Sequence, residues 1–315
     1  MSSADGLPTP GEDPRPPLIV IVGPTAVGKT DLALELAERL HGEIVSADSR
    51  LFYRGMDIGT AKPSRAERLR IPHHLVDVAD PAETWSLAIF QRAAAEAIAG
   101  IHRRGNLPML VGGTGQYIQA VTQAWVPAPV PQDTRLREIL EDLAGTFGAG
   151  WLHDRLRLID PLSAERIDAR NMRRTIRALE VIFTTGRKFS AQGGKGESPY
   201  RLLTIGLTRP RPELYARIDA RIETMFAAGL LDEVRTLLAA GCTPDLPAMS
   251  AIGYRQSIAV LEGKISLEEA KVQMRHLTRV FVRRQANWFK ATDPQIHWFE
   301  AGSVPLEKII RLVRA

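Results

Sequence analysis

The chain has 315 residues, 44% of them apolar and 24% charged, which gives one large or two intimate globular domains and excludes disordered, collagenous and fibrous classes. The longest purely aliphatic run, Leu18 to Val22, falls far short of the roughly 20 residues a membrane-spanning helix needs. The lone cysteine, Cys242, excludes an internal disulfide, a cysteine-based zinc site and an iron–sulfur cluster, and points to the cytoplasm. A net charge of +5 favours polyanionic partners, although a basic excess also serves solubility.

Residues 1–17 carry five prolines (Pro8, Pro10, Pro14, Pro16, Pro17) and no apolar pattern, so a disordered tail is expected there. They also lack the order of parts of a secretory signal. Leu18 to Val22, ended by Gly23-Pro24, reads as a strand buried on both faces. A helix follows over Asp31 to Leu40, stopped by His41-Gly42. Strands read at Glu43 to Ala47, His74 to Val76 and Pro108 to Val111, with a helix over Ser86 to Ile101. Val126-Pro-Ala-Pro-Val-Pro131 is a proline hinge. From Asp133 to Lys188 helix follows helix, Arg201 to Leu207 returns to strand, and the remainder reads as helical. The expected fold is α/β: a P-loop-type parallel sheet with flanking helices (18–125 and 198–315) and an all-helical insertion domain (126–197).

Gly23-Pro24-Thr25-Ala26-Val27-Gly28-Lys29-Thr30 matches the phosphate-binding loop GxxxxGK[ST] between a strand and a helix. Glycines let backbone N–H groups converge on phosphate oxygens, and the helix N-terminus adds positive potential. Lys29 adds a point charge, and the Thr30 hydroxyl suits a magnesium ion against the phosphates. Most such loops hold nucleoside triphosphates, but any diphosphate fits the cradle. Ligands of an open α/β sheet gather at the carboxyl ends of its strands. Asp48 follows one strand directly, as a proton acceptor, a magnesium-shell carboxylate or a helix N-cap. Thr114, in Gly112-Gly-Thr-Gly115, follows another, where the glycines permit close approach or simply make a tight turn. Adjacent His73 and His74 face opposite ways on a strand, so structural roles are favoured over metal binding.

Six basic and no acidic residues lie between Lys271 and Lys290. Lys271, Arg275, Arg279 and Arg283 recur every fourth residue as a helical stripe, while Arg284 shares a face with Leu277, Phe281 and Trp288 and should point to the apolar side. The insertion has a second cluster in Arg166, Arg170, Arg173, Arg174, Arg177, Arg187 and Lys188. Two such surfaces suit a nucleic-acid backbone; an Arg-rich solvated surface is the bland alternative. A small-molecule kinase and a nucleotide-switched RNA-binding protein would use the same loop, the first with little need of the basic surfaces.

From Leu18 to about Trp298 the chain resembles the tRNA dimethylallyltransferase family. The phosphate loop carries the likeness together with Asp48-Ser-Arg-Leu-Phe-Tyr-Arg-Gly-Met-Asp-Ile-Gly-Thr-Ala-Lys-Pro63, Pro72-His-His-Leu75, Gly112-Gly-Thr-Gly115, Arg177-Ala-Leu-Glu-Val181, Ile252-Gly-Tyr-Arg255 and Arg283-Arg-Gln-Ala-Asn-Trp288. The chain departs from the family's pattern at Val282, just before the last segment, and at Asn287 within it. The resemblance implies a loop gripping dimethylallyl diphosphate, with Mg2+ as cofactor, and a tRNA anticodon stem-loop as acceptor. It implies Asp48 as the base facing the adenine N6, Thr114 as its hydrogen-bonding neighbour, Lys29 on the departing diphosphate, and one of Arg217 or Arg221 as a diphosphate contact, Arg221 being counted with the catalytic groups. Contacts to tRNA are implied for Asp48, Ser49, Arg50, Leu51, Thr114, Arg173, Arg174, Thr175, Arg177, Gly253, Tyr254, Arg255, Arg283, Arg284 and Trp288. No membrane and no obligate protein partner is implied.

Overall fold

A computed structural model of the chain describes residues 13–126, 130 and 133–314; the expected disordered tail over 1–12 and most of the proline hinge lie outside them. The first strand, β1 (Pro17–Val22), is followed by α1 (Lys29–Leu40), β2 (Gly42–Ser46), α2 (Arg65–Arg70), β3 (His73–His74), α3 (Leu87–Arg103), β4 (Leu107–Val111) and α4 (Gly115–Thr122). After the insertion come β5 (Arg201–Thr208), α9 (Arg211–Ala227), α10 (Leu230–Ala239), α11 (Tyr254–Leu261), α12 (Leu267–Ala286), β6 (Ile296–Glu300) and α13 (Leu306–Arg314). The strands form one parallel sheet in the order β3-β2-β4-β1-β5-β6.

The aliphatic run of β1 lies at the centre of this sheet, paired through Val20 with Leu110 of β4 and through Ile21 with Ile205 of β5. Helices cover both faces, so Leu18 to Val22 are each at most 1% exposed. This is the parallel-sheet burial that an unbroken apolar strand requires. The strand starts one residue earlier than the sequence indicates, because the Pro16 carbonyl already accepts the Arg201 N–H.

The chain is not wholly helical after β5. Ile296–Glu300 pairs with β5 as a sixth strand, a correction to the expected helix. The Trp298 indole lies over Gly206, where a Cβ would come within 2.4 Å of it. A glycine some ninety positions earlier therefore makes room for the edge strand, and no local window shows that.

The described residues divide into two units, 123–197 and the remainder. The smaller is helical: α5 (Thr134–Phe147), α6 (Ala149–Ile159), α7 (Pro161–Arg166) and α8 (Met172–Thr185) pack around Leu140, Leu152, Leu156, Ile176 and Leu179. Two buried carboxylates organise it. Asp160 caps α7 through Ser163 and holds Ser190 by its amide and hydroxyl. Glu180 accepts from the Asp133 N–H, Arg137 and Arg177. Buried carboxylates are tolerated when partnered in this way.

Candidate active site

The loop between β1 and α1 owes its shape to two glycines. Gly23 has φ +147°, and a Cβ there would sit 2.7 Å from the Leu207 carbonyl oxygen. Gly28 has φ +111° and precedes α1 with no side-chain cap, so the first N–H groups of the helix remain open to an anion. The half-buried Lys29 folds over the loop, its Nζ donating to the carbonyls of Gly23 (2.9 Å) and Pro24 (2.8 Å). Burial pushes this ammonium down to about 8; Asp48 opposes the shift and Arg221 adds to it. Arg217 donates through Nε to the Ala26 carbonyl at 2.9 Å, and burial, then Arg217, lowers the pKa of Arg221.

Two cavities meet at this loop. One, of about 140 Å³, is lined by Gly28, Lys29, Thr30, Asp31, Arg217 and Arg221, and runs past Ser46 to the apolar Ile44, Leu51 and Val76. The other, of about 300 Å³, is lined by Ser49, Arg50, Thr114, Ser250 and the apolar Ile218, Ile222, Met225, Ile252, Met274 and Phe281. Thr25, Ala26, Asp48, Thr60, Ala61 and Arg221 line both. Asp48 thus stands where the two spaces join. Its Oδ1 accepts the Arg50 N–H at 3.0 Å in a turn that no helix continues, which removes the helix N-cap reading.

The wall formed by Thr60 and Ala61 is held from behind by Glu233, which sequence reasoning missed. Its carboxylate accepts the N–H groups of Asp57 (2.9 Å), Ile58 (2.7 Å) and Gly59 (3.1 Å) and the Tyr254 hydroxyl (2.6 Å). Tyr254 is fully buried, so its expected contact with RNA is corrected: the ring fills the core beneath this loop. Arg50 reaches the Pro247 carbonyl at 2.8 Å and ties the Asp48 turn to the segment before α11.

Gln285 stands inside the Arg283-Arg-Gln-Ala-Asn-Trp288 motif, where spacing alone gives no sign of its role. It is buried and joins the phosphate loop to the Gly112–Gly115 turn, accepting the Thr25 N–H (2.9 Å) and donating to the Gly113 carbonyl (3.1 Å). Three residues on, the half-buried Trp288 packs on Gly115, where a Cβ would lie 2.2 Å from its ring, so its main contact is internal.

The basic stripe of α12 is corrected in the same manner. Lys271 and Arg275 pair with Glu223, and Arg279 binds Asp219 with one nitrogen at 2.7 and 3.1 Å and lies over the Tyr215 ring. The counter-charges for Arg275 and Arg279 come from α9, and Lys271 pairs both with α9 and with Glu268 in the first turn of α12. Arg284 does not point into an apolar core: it is exposed, as is Arg283, and Leu277 and Phe281 on its face are 37% and 39% exposed. We therefore expect Arg279→Ala to lower the melting temperature while leaving the salt slope of RNA binding unchanged, a pair of effects measured by thermal unfolding and salt-titrated affinity.

In the helical unit, Arg173 and Arg174 are exposed. Arg177 is not available in that way, since it bonds Glu180 and the Val130 carbonyl, and Thr175 is buried with its hydroxyl on the Asn171 carbonyl. Of the two histidines, His74 bonds buried Glu43 and His73 bonds the Ile71 carbonyl. Among the described residues no three His, Cys, Asp or Glu side chains cluster as a metal site.

A family model described as IPP transferase matches residues 51–292. A curated relative from Roseiflexus sp. (strain RS-1), named tRNA dimethylallyltransferase, is 54% identical over 87% of this chain and 90% of its own length. One of the same name from Thermomicrobium roseum is 48% identical over 91% and 87%. Among solved structures, the tRNA isopentenylpyrophosphate transferase of Bacillus halodurans superposes with a TM-score of 0.69 at 42% identity, covering 95% of this chain and 94% of that one. A eukaryotic dimethylallyltransferase described as acting on tRNA gives 0.76 at 28% identity, covering 91% and 74%. With its phosphate loop and Asp48 lining the same two joined cavities, and matched by these proteins over nearly its whole length, the chain belongs to the IPP transferase family.

Proposed function

We propose that the chain is a tRNA dimethylallyltransferase, moving a dimethylallyl group from dimethylallyl diphosphate to N6 of the adenosine beside the anticodon and releasing diphosphate. The observation that carries this reading is the meeting of an anion-binding cavity and a larger, mostly apolar one at a single carboxylate, Asp48. An exocyclic adenine amine is a weak nucleophile, because its lone pair is delocalised into the ring. The allylic carbon must therefore be made electrophilic as its bond to the diphosphate oxygen breaks. Lys29, Arg217 and Arg221 stabilise the charge growing on that oxygen. Asp48 takes the N6 proton as the C–N bond forms, with Thr114 beside it in the larger cavity. The adenine leaves its stack to enter, which costs a few kcal/mol and least in a loop.

Of the residues lining the smaller cavity, Thr30 with its hydroxyl and Asp31 with its carboxylate carry the oxygen donors that would hold Mg2+. Such an ion, when bound, neutralises part of the diphosphate charge. For RNA, the supporting features are Arg173 and Arg174 on the helical unit, Arg283 and Arg284 in the last turn of α12, and Ser49, Arg50 and Leu51 next to Asp48. The reading places the reaction in the cytoplasm, with the tRNA it modifies.

The test supplies tRNA and magnesium with dimethylallyl diphosphate, ATP or GTP separately. Transfer to RNA with the first alone is expected, and nucleotide hydrolysis without transfer would overturn the reading. The RNA surfaces are tested by Arg174→Ala and Arg283→Ala. Each should weaken tRNA binding and lower the salt slope by about one, with calorimetric affinity for a nonreactive diphosphate analogue unchanged.

A further inference from the structure

The buried amide of Gln285 joins parts of the site that otherwise belong to different ligands. A buried primary amide needs partners for both its oxygen and its nitrogen, and here they lie on separate loops: the Thr25 N–H of the phosphate loop and the Gly113 carbonyl before Thr114. Gly113 is glycine because of this amide. A Cβ there would lie 2.1 Å from Gln285 Nε2, the next nearest atom being Cδ of the same side chain at 3.3 Å, and Gly113 is not among the residues with positive φ. Thr25 N–H is one of the loop donors that could face a phosphate, and it is committed to α12 instead.

The same helix walls the larger cavity. Met274, Thr278 and Phe281 line it one to three turns before Gln285, and the exposed Arg283 and Arg284 stand immediately before that residue. A helix that walls the acceptor space therefore holds the donor loop through one side chain.

We infer that Gln285 is a positioning residue that couples filling of the acceptor cavity to the affinity for the donor diphosphate, by fixing the phosphate loop and the Gly112–Gly115 turn to α12. The choice of ligands rests on the proposed prenyl transfer. An acceptor nucleoside packing on Phe281 and Met274 sets the position of α12, and the amide transmits that position to Thr25 and Gly113. Coupling of this kind is reciprocal, so the donor also tightens RNA binding by the same factor.

The experiment measures calorimetric affinity for a nonreactive dimethylallyl diphosphate analogue with and without saturating anticodon stem-loop RNA. It is done on the full-length wild type, on Gln285→Met and on Gly113→Ala, which expels the amide without touching Gln285. The ratio of the two affinities should be about 5 to 150 in the wild type and fall towards one in both variants. The double variant should do no worse than either single change, since both remove one contact. Circular dichroism melts show which variants are folded, and Gly113→Ala keeps the test open if Gln285→Met is not. A wild-type ratio of one, or an unchanged ratio in the folded variants, overturns the inference. Prenyl transfer by the wild type is scored separately, so the coupling can fail while the reaction stands.

Discussion

Asp48→Asn is expected to slow prenyl transfer by about 10² to 10⁴ while leaving the fold and both binding affinities within a few-fold. The side-chain oxygen that accepts the Arg50 N–H is retained in asparagine, so the turn at the end of β2 survives. What goes is the ability to take a proton at the junction of the two cavities. Single-turnover rates with saturating donor and tRNA isolate this step. An unchanged rate with weakened tRNA binding would make Asp48 a positioning residue instead.

Lys29→Ala should lower kcat/KM by about 10² to 10³, because the loop backbone remains and only the charge facing the leaving group disappears. The pH profile adds an independent signature. Desolvation holds the ammonium near 8, below its ordinary 10.5, so the free enzyme has lost about half of this charge at pH 8 and loses the rest above it. Holding a charged lysine there opposes folding; that penalty is fully present below pH 8 and is relieved as pH rises towards 10.5. Donor binding runs the other way, since the diphosphate needs the ammonium. Analogue affinity should fall by up to about tenfold per pH unit above 8 in the wild type, and Lys29→Ala should flatten that limb. A profile that is the same in both proteins would remove Lys29 from donor binding.

The donor half of the site was legible because it is local. Val22, the glycines and Lys29 lie within one strand–turn–helix, and Asp48 ends the next strand, so spacing alone brings them to one edge of the sheet. The parts that were not legible depend on distant partners. Arg275 and Arg279 read as part of a free stripe because their acids, Glu223 and Asp219, stand on α9. The sixth strand needed Gly206 opposite Trp298. Arg284 was misplaced by a helical wheel whose apolar residues, Leu277 and Phe281, line a cavity mouth and the surface instead of a core. Gln285 was visible in its motif, yet its role emerges only from its contact with Gly113, 172 positions away.

Prenyl transfer is tested most directly by the mass of the nucleosides digested from unmodified tRNA after incubation with the wild-type chain, magnesium and dimethylallyl diphosphate. One adenosine, mapped next to the anticodon, is expected to gain a dimethylallyl group in place of an N6 hydrogen, with one diphosphate released for each. Unmodified adenosine, alongside phosphate transfer or hydrolysis when ATP replaces the allylic donor, would contradict it.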